Sequence, residues 1–115
     1  DTYTNLKIIA CHAGGALPYL FGRLDICHMN MPGAREVISE LPSTYADRIY
    51  YDSVTFQQEA LELAINVGGA ANILFGSDYP HNIGDMKGCL SRVDALPADQ
   101  RDAARGKNAE RIFNL

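Results

Sequence analysis

The sequence predicts an α/β fold built on a parallel sheet. Strand-like and helix-like stretches alternate three times along the chain, an order that implies right-handed crossovers between parallel strands. Residues 72–81, NILFGSDYPH, carry a short apolar run between Gly68-Gly69 and Pro80 that reads as a buried parallel strand ending near Asp78. Three parallel strands leave both sheet edges open. The sheet is therefore expected to continue in residues outside this chain, and a first residue of Asp1 rather than Met agrees with a piece of a longer protein.

Each element has its own signal. Lys7-Ile8-Ile9-Ala10-Cys11 is the first apolar run, leading into His12 and a glycine turn at Gly14-Gly15. A helix begins near Pro18, a residue suited to the first helical turn. Leu17, Leu20, Phe21, Leu24 and either Cys27 or His28 fall at helical spacing as its core face. Pro32-Gly33 interrupts it, and residues 34–41 read as a short second helix stopped by Pro42. Arg48-Ile49-Tyr50-Tyr51-Asp52-Ser53 is the second strand, rich in aromatic and branched side chains.

Thr55 is placed to cap the next helix, whose stripe is Phe56, Ala60, Leu61, Ala64 and Ile65. Gly68-Gly69 closes that helix. After the third strand, Asp85 caps a helix reaching about Leu96. Pro97 opens another, which Gly106 ends, and residues 108–115 form a last short helix with Ile112 and Phe113 inward.

Composition narrows the function classes. The 115 residues are 47% hydrophobic with a formal net charge of −4, and no basic run stands ready to neutralise phosphates. Nucleic acid is not an expected partner. No stretch approaches the ~20 apolar residues of a membrane span, and the polar start lacks the apolar segment of a signal peptide. Three cysteines without metal-type spacing read as reduced thiols of a cytoplasmic protein.

The chemistry gathers at the strand ends. The first and third strands finish at His12 and Asp78, and the second at Asp52-Ser53. In α/β folds the carboxyl edge of the sheet is where ligands bind. At a spacing of about 4.8 Å per strand, the outer two endings lie roughly 10 Å apart at the backbone. Side chains from a curved sheet then converge on one ligand. Asp52 either faces this edge or caps the following helix.

Together, His12-Ala13-Gly14-Gly15-Ala16-Leu17-Pro18-Tyr19, Gly22-Arg23, Gly76-Ser77-Asp78-Tyr79-Pro80 and Asn108-Ala109-Glu110-Arg111-Ile112-Phe113 resemble the C-terminal part of the amidohydrolase-related family. The branch is similar to 2-amino-3-carboxymuconate 6-semialdehyde decarboxylase. The resemblance implies a metal-dependent-hydrolase TIM (β/α)8 barrel, of which residues 1–115 supply strands six to eight and their helices. It implies a divalent metal, zinc being the usual one, with Asp78 as the metal-ligating carboxylate of the last strand. His12 takes the place of the catalytic histidine, which assists the metal's water or shuttles a proton. Arg23 matches an arginine that binds a substrate carboxylate in a neighbouring subunit's site, so a homo-oligomer is expected. The family's remaining ligands, a His-x-His pair on the first strand and a histidine on the fifth, have no counterpart here. Ala13 stands where the motif commonly has glycine.

These roles compete with blander ones. A strand-end His is by default structural, Asp78 by default caps the Tyr79-Pro80 turn, and a helical Arg23 is by default solvated. His81 lines the pocket as a further substrate contact or is simply a loop residue. His28, Tyr19 and Tyr79 read as packing. The leading expectation is a decarboxylase, a carbon–carbon lyase acting on a small unsaturated or aromatic carboxylic acid. A hydrolase or hydratase of the same family is the second reading. An inactive fragment or oligomerisation module is the third.

Overall fold

A computed structural model describes residues 3–115. Strands β1 (Ile8–Ala10), β2 (Ile49–Asp52) and β3 (Ile73–Leu74) form a parallel sheet in the order β1-β2-β3. Ile9 pairs with Tyr50, and Tyr51 with Ile73. The helices are α1 (Leu17–Asn30), α2 (Gln58–Gly68), α3 (Met86–Asp94), α4 (Ala98–Asp102) and α5 (Asn108–Phe113). Among the described residues no helix is long and apolar enough to cross a membrane.

Tyr51 is the centre of the packing. It is fully buried, beside Leu61, Ala64, Ile73, Val93 and Ala104. Its hydroxyl donates to the Ala46 carbonyl at 2.9 Å, which satisfies the one polar atom that burial strands. Burial first, and then the charge of Asp47, push its phenol above the ordinary value of 10.0. Gly68 closes on one side of the ring; a Cβ there would stand 2.2 Å from Tyr51 Cε2. Gly68→Ala is expected to destabilise the protein by about 1–3 kcal/mol through overpacking. A thermal melt of the full-length protein checks this, and an unchanged midpoint contradicts it.

Most helix ends sit where sequence chemistry puts them. Pro18 lies in the first turn of α1. Gly69, at φ 84°, terminates α2 through a bond from its N–H to the Ile65 carbonyl. Asp85 caps α3, its Oδ1 accepting from the Gly88 N–H at 2.8 Å. That bond, and then Arg92, hold the Asp85 carboxyl below the usual carboxylate range. At the opposite edge of the sheet, Asn108 is buried and donates to the carbonyls of Ala70 and Ile73, both at 2.8 Å. Arg111 donates to the Ala71 carbonyl. The Asn108-to-Arg111 motif thus ties α5 to the start of β3.

Several expectations are corrected. Residues 34–41 form no helix; only a 3₁₀ turn at Pro32–Arg35 appears, and Val37 is 87% exposed. Eight residues between Gly33 and Pro42 are too short to offset the cost of nucleating a helix by themselves. On α1, Phe21 and His28 are buried, whereas Leu24 is exposed; His28 Nε2 lies 3.1 Å from the Ile38 carbonyl. Thr55 does not cap α2, because the helix starts only at Gln58, with an extended Gln57 in the cap position. Phe56 and Ala60 are exposed and leave the stripe to Leu61, Ala64 and Ile65. Gly106 ends nothing, for a π-helical turn at Ala103–Lys107 carries α4 into α5. Ile112 is buried but Phe113 is 48% exposed, since consecutive helical residues point about 100° apart.

Candidate active site

The first polar ending is a strained turn. After β1, Cys11 remains extended, and His12 and Ala13 then both adopt left-handed backbone, with φ of 56° and 52°. Gly14 and Gly15 follow at 81° and 57°. Left-handed backbone costs a residue with a side chain on the order of 1–3 kcal/mol and persists only where surroundings enforce it. Three contacts enforce it here. The Gly14 N–H donates to the Cys11 carbonyl at 3.0 Å and the Gly15 N–H to the His12 carbonyl at 2.8 Å. The Ala13 N–H donates to Asp52 Oδ1 at 2.9 Å. Gly14 also leaves space for the Tyr51 ring, whose Cδ1 and Cε1 lie 3.0 Å from where a Cβ would be.

The second and third endings are joined to each other. Asp52 is the last residue of β2, and its Oδ1 accepts a second bond from the Val54 N–H at 2.9 Å. Ser53 is fully buried, and its Oγ accepts from the Gly76 N–H at 3.1 Å. Gly76 admits the β2 end closely: a Cβ on it would meet Val54 Cγ2 at 3.0 Å and Asp52 Cβ at 3.3 Å. The chain has left the sheet after Leu74. Asp78 is four residues past β3 and is left-handed at φ 60°. Its carbonyl accepts from the His81 N–H at 2.9 Å, and the Asp85 N–H returns to the Ser77 carbonyl at 3.0 Å.

The first and third endings, together with the chain just past the second, line one cleft of about 490 Å³. His12 and Asp78 line it together, with Val54, Phe56, Ala60 and Ile83 as apolar walls. One imidazole and one carboxylate in an apolar recess suit a flat, weakly polar ligand carrying one charged group. Phe56 in turn stacks near Arg92, whose guanidinium carbon is 5.9 Å from the ring centre.

The other predicted site residues lie elsewhere. Arg23 is exposed on α1 and His81 is exposed in the loop after Asp78; neither is among the cleft-lining residues. Asp52 neither lines the cleft nor caps α2; it bonds the His12 turn from behind. Its pattern, a strand-ending Asp two residues before an N–H it accepts from, is a side-chain turn recognisable in sequence. The partner N–H of Ala13 is 39 residues away and leaves no such mark. Phe56 and Gln57 were also missed as wall residues, because a later helix start turns them toward the cleft.

Among the described residues, no three His, Cys, Asp or Glu side chains converge as a metal cage. A catalytic zinc-type site takes three protein ligands and keeps one position open. The donor types at the cleft, a carboxylate and an imidazole, are ones such a site could use in part.

The chain belongs to the amidohydrolase family, whose profile matches residues 1–115. Among its relatives is 2-amino-3-carboxymuconate-6-semialdehyde decarboxylase of Dictyostelium discoideum, 30% identical over 71% of this chain and 23% of that protein. The crystal structure of 5-carboxyvanillate decarboxylase from Sphingomonas paucimobilis superposes with a TM-score of 0.86 at 30% identity, covering 100% of this chain and 36% of that one. A Polaromonas dihydroxybenzoic acid decarboxylase, solved with manganese and the inhibitor 2-nitroresorcinol, superposes at 0.83 with 28% identity and the same coverages. The chain therefore spans about a quarter to a third of the proteins it matches.

Proposed function

We propose that the chain supplies the sixth to eighth βα units of a (β/α)8 barrel that decarboxylates an unsaturated or aromatic carboxylic acid with a divalent metal. One observation carries this reading: His12 and Asp78, from the first and third strands, share one apolar-walled cleft at the carboxyl edge of a parallel sheet. The decarboxylase relatives support the reaction class. The exposed β1 residues Ile8 and Ile9, at 51% and 41%, support a sheet continued by further strands.

In this reading Asp78 holds the metal together with ligands outside this chain. When bound, the metal would supply positive charge that attracts the substrate's carboxylate. His12 delivers a proton to the carbon that carries the carboxylate. The carbon–carbon bond then breaks, its electron pair returns to the unsaturated system, and carbon dioxide leaves. Once the remaining barrel units cover the cleft, its apolar walls exclude water and so strengthen each charge interaction inside. Arg23, exposed on α1, binds a substrate carboxylate in a neighbouring subunit, and His81 joins the cleft when that subunit and the remaining units enclose it. Zinc or manganese fits the donor set.

The test is direct. The full-length protein, loaded with zinc or manganese, is incubated with carboxylated phenols and with unsaturated acyclic dicarboxylates. Release of carbon dioxide with loss of substrate absorbance is expected. Hydration or lactone hydrolysis without carbon dioxide would move the assignment to the hydratase or hydrolase reading. No turnover of any of these compounds would leave the inactive module.

A further inference from the structure

Asp52 sits where all three strand endings meet. Its Oδ1 accepts from Ala13 of the first ending at 2.9 Å and from Val54 of the second at 2.9 Å. The third ending packs against it closely enough that a Cβ on Gly76 would stand 3.3 Å from Asp52 Cβ. The carboxylate is not among the cleft-lining groups, so it reaches a ligand only through the backbone it holds. The backbone it holds is adjacent to His12 on one side and forms the Val54 wall on the other. The His12–Ala13 pair is left-handed without glycine, so it needs an outside acceptor to stay in that form.

We infer that Asp52 is a positioning residue for this site: it sets the His12 turn and the Val54 wall against Asp78, and the reaction depends on its geometry rather than its charge. The inference rests on the proposed decarboxylase reading for its kinetic readout, and on the Ala13 amide for a second readout that needs no turnover.

Two substitutions in the full-length, metal-loaded enzyme separate geometry from charge. Asp52→Asn keeps an acceptor oxygen at the same place and removes the charge. Asp52→Glu keeps the charge and moves the oxygen by one methylene. Misplacing a catalytic group by about 1 Å costs on the order of 100-fold. Asp52→Glu is therefore expected to lower kcat by about 100-fold with KM within about threefold and metal content unchanged. Asp52→Asn should stay within about tenfold of the parent. The Ala13 N–H should exchange faster with solvent in the Glu variant and keep its protection in the Asn variant. The reverse kinetic order, with Asn the more damaged, would overturn the inference in favour of a charge role. Parental kcat and parental Ala13 protection in both variants would overturn it as well. If the parent enzyme turns over none of the acids, the decarboxylase reading falls, while the Ala13 exchange rates still decide what Asp52 does.

Discussion

His12→Asn in the full-length enzyme is expected to lower kcat by about 10²–10⁴-fold, the usual contribution of one positioned acid or base. Asn is the informative replacement. It tolerates left-handed backbone better than most residues, so the turn at φ 56° keeps its shape. It also fills similar space and offers hydrogen bonds but cannot carry a proton between atoms. Histidine can, because its ring has two nitrogens, one able to take up a proton while the other gives one. KM and bound metal should be preserved, so the loss falls on the chemical step. Steady-state kinetics with metal analysis checks this, and a parental kcat removes His12 from the mechanism.

Asp78→Asn should act differently, by loosening the metal. Loss of a partner that merely orients a ligand already costs about 10–100-fold in metal affinity, so removing a ligand is expected to cost at least about 100-fold. The loop should survive, since Asn again accepts the φ of 60° and the bonds that close the loop run through the backbone, as from His81 N–H to the Asp78 carbonyl. Activity should fall in step with metal content and recover in part at high metal concentration. Full metal occupancy in the variant, measured by elemental analysis after dialysis, would show that Asp78 is not a ligand. The contrast between the two variants is itself diagnostic: one keeps the metal and loses turnover, the other loses both.

Much of the fold was legible because its signals are local. Pro18, Gly69 and Asp85 mark helix ends through constraints each residue imposes on its own backbone or on the next turn. The placement of His12 and Asp78 near one sheet edge followed from strand-helix alternation alone. What went unread depended on partners distant in sequence. Residues 34–41 have helical composition, yet the contact that fixes them is the Ile38 carbonyl 3.1 Å from His28 Nε2, ten residues back on α1. Thr55 has a capping side chain, yet the helix starts after Gln57, and Thr55 Oγ1 is buried without a hydrogen-bond partner among the described residues.

From sequence alone the order of elements, their parallel arrangement and the two chemically capable side chains were determined, because apolar runs, glycines and prolines act over a few residues. Only the tertiary structure decided how those side chains are presented. The left-handed backbone at His12 and Ala13 is held by Asp52, and the β2 and β3 ends are held by Ser53 and Gly76. Those contacts form only once the strands are side by side, and a hydrogen bond across 39 residues is selected by packing, not by the local preference of either partner.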